Sequence, residues 1–453
     1  MTADTIAAVA TGGQVSAIGI IRVSGEKTFE IIDKLFFPAN GSRMSENEDR
    51  KLVYGRLCAR DGGLLDVCLC TVSRAGHSYT GEATAELQCH GSPVVLRAAL
   101  EEIFALGARQ AGPGEFTKRA FLSGRMELTG AEAVADIIDA ESVEAARNAA
   151  GQLSGAVSRR TERVYSLLAD IGSHFHAVLD YPDEDIEEFR LEEYKTRLEA
   201  AVDELAALLS TFERGKLMQS GVPAAIVGRP NAGKSSLLNA LLGYDRAIVT
   251  QIPGTTRDTI EEKLNLGSLT LRLTDTAGIR ETSDEVERLG VERSRRALEN
   301  AQLVLVVVDS SRDLTDEDFA LIRAAERAKR AVVVLSKADL PRCVTALDTP
   351  LPCVPVSAVT GKGLGALEKT IAALFPLPEV PAGEILTNAR QAEAVSRALE
   401  SMRAALAAMR AGATPDIVLT ETEGAMRALG ELTGRNIRED VTNRIFSRFC
   451  VGK

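Results

Sequence analysis

Residues Gly228-Arg-Pro-Asn-Ala-Gly-Lys-Ser235 hold the densest chemistry in the chain. Their spacing, Gly, four residues, then Gly-Lys-Ser, is that of a phosphate-binding loop. Ala224–Val227 before it is a short apolar run that predicts a buried strand, and Ser236–Leu242 after it carries helical apolar spacing. A strand, a glycine-rich loop and a helix N-terminus make an anion site, because backbone N–H groups converge there and the helix dipole adds to the attraction. The expected contacts run through Asn231, Ala232, Gly233, Lys234, Ser235 and Ser236. Lys234 is the catalytic cation, reaching the β- and γ-phosphates, and Ser235 holds magnesium.

Four further motifs follow in order: Gly254-Thr-Thr-Arg-Asp258, Asp275-Thr-Ala-Gly278, Ser336-Lys-Ala-Asp339 and Ser357-Ala358. The first sits in a loop with Thr250, Gln251, Ile252, Pro253, Gly254 and Thr255, and Thr256 adds a magnesium ligand that senses the γ-phosphate. Asp275 ends the predicted strand Leu271–Thr274 and faces the metal. Thr276 and Ala277 lead to Gly278, whose N–H can approach the γ-phosphate closely. Val332–Leu335 delivers Ser336, Lys337 and Asp339 to a base. A carboxylate at Asp339 accepts from the N1–H and amino group of guanine, a donor pattern adenine lacks, so the ligand is expected to be GTP. Two departures matter. Ser336 stands where the guanine motif usually has Asn, which predicts a weaker grip on the base. Ile279 stands where Ras-type GTPases have a water-orienting Gln, so another group must do that work or hydrolysis is slow.

The elements that must position these motifs follow from the rest of the chain. At 453 residues, two to four domains are expected. The chain is 45 % apolar but only 4 % aromatic, with no Trp, which predicts aliphatic, helix-rich packing. A net charge of −11 excludes a body-wide nucleic-acid surface, so any RNA contact must be a local patch. The seven cysteines are scattered and lack Cys-x-x-Cys spacing, which indicates neither a disulfide framework nor a zinc site. The N-terminus does not read as a signal peptide, and no 18-residue apolar run exists. A soluble, cytoplasmic protein is expected, with no membrane partner.

Residues 1–118 read as an α+β unit, with strands at Ser16–Val23, Val67–Val72 and Ala83–His90 and helices at Glu26–Phe36 and Val94–Leu106. Arg22 and Glu86 lie inside apolar strands; a charge there is ordinarily on the solvated face. Residues 119–215 are helical in pattern over Ala131–Ala149, Val157–Leu179 and Leu191–Arg214, broken by an acidic loop at 180–188. Residues 216–376 alternate strands with helices, the signature of a parallel α/β sheet. After a Pro-rich linker, Asn388–Met409 and Asp416–Leu429 are helical again. The order predicts one helical domain, its two halves packed together, with the α/β domain inserted.

The phosphate loop, the Gly-Thr-Thr-Arg-Asp loop and the inserted arrangement resemble the MnmE/TrmE family of tRNA modification GTPases. The C-terminal Phe449-Cys-Val-Gly-Lys453 resembles the family's Cys-x-Gly-Lys ending, which ordinary GTPases lack. Gly81–Gly91, Pro113–Leu122 and Asp275–Gly290 match as well. The resemblance implies a multidomain α/β and α architecture. Its parts are an N-terminal α+β tetrahydrofolate-binding and dimerisation domain at 1–118, a helical domain at 119–215 and 377–453, and a Ras-like P-loop GTPase domain at 216–376. It implies a homodimer, tRNA and an FAD-dependent partner protein. Together these install an aminomethyl or carboxymethylaminomethyl group on carbon 5 of the wobble uridine, using 5-formyl-tetrahydrofolate or a related folate.

By position, the resemblance assigns folate contacts to Arg22, Glu86, Arg125 and Lys453. Where Arg125 stands the family usually has Lys, so a planar fork replaces a point donor. It assigns a potassium site to Asn231 and the backbone of Thr250, Ile252 and Thr255, where a cation can do an arginine finger's electrostatic work. It gives Glu287 the orienting of the attacking water and makes Cys450 a functionally required thiol. By residue pattern alone, Glu287 reads as a solvated helix charge and Cys450 as a terminal packing cysteine. Arg435, Arg438, Arg444, Arg448 and Lys453 form a basic tail that could meet tRNA. The rival reading is a GTP-dependent RNA-binding or ribosome-assembly factor without modification chemistry, which would have no reason to bind folate.

The base assignment is testable directly. Asp339→Asn inverts the donor and acceptor pattern, so GTP affinity falls and xanthosine triphosphate is admitted. Unchanged GTP affinity in that variant refutes the assignment.

Overall fold

The computed structural model describes residues 4–12, 14–180, 188–244, 262–266, 269–273, 301–344, 347–376, 380–435, 439–447 and 449–452. Two compact units account for the chain. One comprises Met1–Ala135, Gln152–Asp203 and Ala394–Lys453; the other comprises Asp136–Gly151 and Glu204–Glu393.

The first unit opens with a seven-stranded sheet. Its strands are β1 (Thr5–Val9), β2 (Ser16–Ser24), β3 (Phe36–Pro38), β4 (Val53–Cys58), β5 (Leu64–Ser73), β6 (Thr84–Gly91) and β7 (Ala108–Gln110), in the order β3-β4-β5-β6-β2-β1-β7. All neighbours are antiparallel except β1 and β7. Alternate residues face opposite sides of a strand. Ile21, Val23, Leu87 and Cys89 therefore join Ile31, Leu35, Leu96 and Ile103 of two helices in the main core. The opposite face holds a smaller cluster, Ile6, Ala8, Ala111 and Phe116. The short, Ala-rich β1 has little periodicity to announce it in the sequence.

The long helix Ala156–Asp180 packs along Pro415–Thr433 in the same unit, through Leu168, Ile171 and Phe175 on one side and Val418, Ala425 and Leu429 on the other. The expected single helix over Ala131–Ala149 is instead two, Leu128–Ile138 and Val143–Leu153. Ser142 is the cause: its Oγ accepts from the N–H of Ala145 at 3.1 Å and starts a new helix. The acidic run lies at 181–187, outside the described residues.

The second unit is built on a six-stranded sheet of β8 (Val222–Val227), β9 (Glu262–Leu266), β10 (Leu269–Leu273), β11 (Leu303–Asp309), β12 (Ala331–Ser336) and β13 (Cys353–Pro355). The order is β13-β12-β11-β8-β10-β9, parallel except for the β9–β10 pair. Helices Lys234–Tyr244 and Leu364–Leu374 bury Leu237, Leu241, Leu367 and Ile371 against Ile226, Leu305 and Val307. Helix Asp316–Ala325 covers the other face, with Ile322 and Ala325 against Val227, Val306 and Val333. Burial on both faces is why these strands read as continuous apolar runs.

The expected helix Leu191–Arg214 also divides, into Glu188–Ser210 and Phe212–Ser220. Within the second unit, Thr211 Oγ1 donates to the Leu208 carbonyl at 2.7 Å and accepts from the N–H of Leu386 at 3.0 Å. Asn148 holds the same returning segment, donating to the Ile385 carbonyl at 3.0 Å and accepting from the N–H of Gly383 at 2.9 Å. No helix among the described residues is long and apolar enough to cross a membrane.

Arg119 is a deeply buried charge of the first unit, 5 % exposed. Its guanidinium meets Asp4 at 2.8 Å, Glu82 at 2.9 Å and Glu115 at 3.1 Å. Burial pushes the Asp4 and Glu115 carboxyls up, but hydrogen bonds from Arg109 and Arg119 outweigh it and hold both below their ordinary values. A carboxyl with a depressed folded pKa contributes stability that is complete above its unfolded pKa and is lost as pH falls through the folded value. Arg119→Leu takes the guanidinium from Glu82 and leaves Asp4 and Glu115 to Arg109 alone, and should cost about 3 kcal/mol in urea unfolding at neutral pH. Acidification below the ordinary carboxylate pKa should destabilise the wild type more than the variant. Equal acid sensitivity in both would refute the network's role.

Candidate functional site

Between β8 and the helix Lys234–Tyr244, the chain turns through Gly228–Gly233. Asn231 and Gly233 take left-handed backbone conformations, φ +60° and +100°. A Cβ at Gly228 would lie 2.4 Å from the Val307 carbonyl oxygen, so only glycine lets the loop pass β11. The loop curls around the Lys234 ammonium, which donates to the Gly228 and Arg229 carbonyls, each at 2.8 Å. Burial pulls the Lys234 pKa down from its ordinary value.

β12 ends at Ser336, beside this loop. Ser336 Oγ lies 2.6 Å from the Ala232 carbonyl and 3.0 Å from that of Val308. The shorter side chain therefore keeps the link to the phosphate loop that an Asn would make. Lys337 has φ +56°, and its ammonium contacts Asp309 Oδ2 at 2.6 Å. Burial pushes the Asp309 carboxyl up, but Lys337 and Ser311 outweigh it and hold it below its ordinary value. A cavity of about 220 Å³ opens here, lined by Gly233, Ser236, Lys337, Asp339, Val356 and Ala358. Ser357, between the lining residues Val356 and Ala358, braces the turn there, its carbonyl accepting from the N–H of Gly361 at 3.0 Å and its own N–H donating to the Lys362 carbonyl at 2.9 Å.

The structure thus brings together Asn231 through Ser236, Ser336, Lys337, Asp339, Ser357 and Ala358, at the carboxyl ends of parallel strands where such sheets bind ligands. Residues Thr250–Thr256, Asp275–Gly278 and Glu287 lie outside the described residues. Sequence reasoning missed Asp309. Its signal was available: the first acidic residue after the apolar run of β11, at that strand's carboxyl end.

A second constellation forms on the N-terminal sheet. Arg22 and Glu86 stand directly opposite in the β2–β6 register, and Arg22 Nε meets Glu86 Oε1 at 2.9 Å. They are a half-buried ion pair, not solvated-face charges. The guanidinium sits 5.6 Å from the ring centroids of both Tyr79 and Phe116. The loop carrying Tyr79 continues to Gly81, where a Cβ would lie 3.3 Å from Cγ of Arg125. Arg125 also lines a polar cavity of about 390 Å³ with Thr129, Gln152, Ser158 and Arg159.

The C-terminal tail reaches the same sheet. Phe449 is buried with Leu128, Ala131 and Phe446. The Cys450 carbonyl accepts from the N–H of Gly114 at 3.2 Å, and Val451 bridges Pro113. Gly452, φ +99°, sits where a Cβ would lie 2.3 Å from the Val9 carbonyl oxygen. Val9 is one residue from Ala8, the β1 partner of Arg22. Cys450 itself is an exposed free thiol. Lys453 lies outside the described residues, as do Arg438 and Arg448 of the basic tail. Arg435 spends its charge on Glu162 at 2.7 Å and stacks over Tyr165.

Comparison with known proteins shows the family. A family profile described as "MnmE helical domain" matches residues 128–450, and one described as "GTP-binding protein TrmE N-terminus" matches residues 5–125. A tRNA modification GTPase MnmE of Roseiflexus sp. (strain RS-1) is 43 % identical over 467 residues, covering 99 % of each chain. That of Symbiobacterium thermophilum is 41 % identical over 461 residues, covering 100 % of each. Among solved structures, the G domain of the T. maritima FeoB iron transporter is 27 % identical over 34 % of this chain and 99 % of its own, with a TM-score of 0.25. The chain belongs to the MnmE/TrmE family of tRNA modification GTPases.

Proposed function

We propose that this GTPase works with an FAD-dependent partner to install an aminomethyl or carboxymethylaminomethyl group on carbon 5 of the tRNA wobble uridine. The observation that supports this most is the seat of the C-terminal tail on the strand next to the Arg22–Glu86 pair. It brings an exposed thiol to the sheet that carries a charged pair, beside which two aromatic rings lie. A factor that uses GTP only to time its release has no use for such a face.

The residues suit a folate. Tyr79 and Phe116 offer apolar surface to a flat pterin, while Arg22, Glu86, Arg125 and Lys453 offer donors and acceptors to its polar edge and carboxylates. When bound, 5-formyl-tetrahydrofolate or a related folate supplies the one-carbon unit, and magnesium and potassium supply positive charge at the phosphates. The chain's own residues bind and orient. Lys234 binds the β- and γ-phosphates; Ser235 and Thr256 hold magnesium, with Asp275 facing it and Gly278 at the γ-phosphate. Asn231, on its exposed left-handed turn, holds potassium together with the backbone of Thr250, Ile252 and Thr255. Glu287 orients the attacking water in place of the Gln that Ile279 replaces. Three domains are assigned, at 1–118, at 119–215 with 377–453, and at 216–376. The N-terminal one forms the homodimer, in the cytoplasm.

Two measurements test this. Hydrolysis should be faster in potassium chloride than in sodium chloride at equal ionic strength, and Asn231→Ala should abolish that difference while nucleotide binding largely persists. Equal rates in the two salts for the wild type would sink the cation assignment. Cys450→Ser should hydrolyse GTP and dimerise normally, yet fail to modify the wobble uridine when the FAD partner, folate and amine donor are supplied, because Ser is a far weaker nucleophile near neutral pH. Mass spectrometry of digested tRNA reads this out; full modification by the variant would reduce Cys450 to a packing residue.

A further inference from the structure

We propose that Asp66, Cys68 and Cys89 form a site for a thiophilic divalent metal ion, with zinc the ion that suits their chemistry best. One carboxylate oxygen and two sulfur atoms lie within 4.8 Å of one another. Tetrahedral zinc bonds of about 2.0–2.3 Å put neighbouring ligand atoms about 3.3–3.8 Å apart. Side-chain torsions that draw these atoms together by about 1 Å therefore close the set without moving the backbone.

The sheet register supplies the convergence. β5 and β6 pair Cys70 with Leu87 and Leu69 with Gln88, and Cys68 and Cys89 are one step further along. Asp66 precedes Cys68 by two residues, which puts both on one side of β5. The carboxylate is already held. Its Oδ2 accepts from the N–H of His90 at 2.8 Å, and its Oδ1 lies 2.7 Å from His90 Nδ1. Ligating carboxylates are themselves held by outer hydrogen bonds, the part that His90 plays here.

The surroundings favour a soft ion over magnesium. Cys68 and Cys89 are 4 % and 2 % exposed, so the sulfur side of the site is dry. His90 is exposed and marks the side from which an ion enters. Magnesium requires a shell of oxygen ligands, whereas two thiolates and one carboxylate match zinc. Both cysteines are free thiols, and the Cys89 thiol is pushed up by its hydrogen bond with Cys68 and by burial. Zinc displaces the two thiol protons, and its charge then leaves one negative charge on the set. The ion clamps β5 to β6, the strand that also carries Glu86. The cysteine spacing gave no sign of this, because the ligands come from two strands and one of them is a carboxylate.

The test uses the full chain, stripped with a chelator and dialysed against zinc chloride, with bound metal quantified. One zinc per chain should be retained by the wild type and by Cys343→Ser/Cys353→Ser, which lacks two of the exposed thiols. Cys68→Ser/Cys89→Ser should retain none while still hydrolysing GTP at the wild-type rate. Cobalt in place of zinc should give a thiolate charge-transfer band in the wild type only. Asp66→Asn, which keeps the shape, and His90→Ala should each weaken binding about tenfold or more. Zinc should raise the melting temperature of the wild type more than that of Asp66→Asn. Equal zinc in the Cys68/Cys89 variant, or loss of zinc with Cys343 and Cys353, overturns the proposal. If the double cysteine variant does not fold, an Asp66→Asn affinity equal to that of the wild type overturns it alone.

Discussion

Close backbone packing of Gly452 on Val9 fixes the path of the last described residues, and much of the first unit depends on it. A chain terminus ordinarily frays. Here Phe446 and Phe449 are buried against Leu128 and Ala131, each worth about 1.5–3 kcal/mol of apolar burial. The Gly114 N–H and the Pro113–Val451 bridge then set the direction of the last residues. A side chain at 452 would collide with a carbonyl oxygen, so the seat demands glycine twice over, for φ and for space. The same seat makes a large insertion tolerable. Closing a longer loop costs only about 0.6 kcal/mol per doubling of its length, so the ends can meet whatever folds between them.

The nucleotide side of the molecule was legible because phosphate and guanine impose residue types at fixed spacing, and because strands buried on both faces leave unbroken apolar runs such as Leu303–Val308. The N-terminal site was legible only through resemblance. Arg22 and Glu86 are 64 residues apart, and nothing local in either strand says they will stand opposite each other. A register shift of one residue would have put both in the main core. The helix breaks at Ser142 and Thr211 were hidden for a different reason. Apolar periodicity continues through both, and a side-chain oxygen interrupts the helix by offering the backbone another partner. The Asp66, Cys68 and Cys89 cluster was hidden by topology in the same way as Arg22 and Glu86.

Two arginines of the first unit differ in how burial and partners use their charge. Arg119 is surrounded by Asp4, Glu82 and Glu115, and its two terminal nitrogens are committed to them and to the Asp4 carbonyl. Arg22 makes a single ion pair through Nε, at the edge of two rings, with part of its side chain open to solvent. The first arrangement stabilises by compensation, since removing any member strands the others. The second leaves the guanidinium beside two rings with one carboxylate partner. Net charge says nothing about either; the local field at each carboxylate does.

The substitution of Ser for the usual Asn at position 336 divides one residue's work between several. An Asn side chain spans from the phosphate loop to the base. Ser336 keeps the loop end of that span, at 2.6 Å from the Ala232 carbonyl, and its shorter reach gives up the base end. Asp339 and Lys337 line the cavity beside it, and Lys337 holds a left-handed backbone that a non-glycine residue adopts only when its surroundings over-determine it. Its bond to Asp309 is the strongest of those surroundings, a charge-assisted contact anchored at the end of a central strand and braced by Ser311. The structure therefore sets one carboxylate, Asp339, in the wall of the cavity and, one step removed, a second, Asp309, that fixes the lysine beside it.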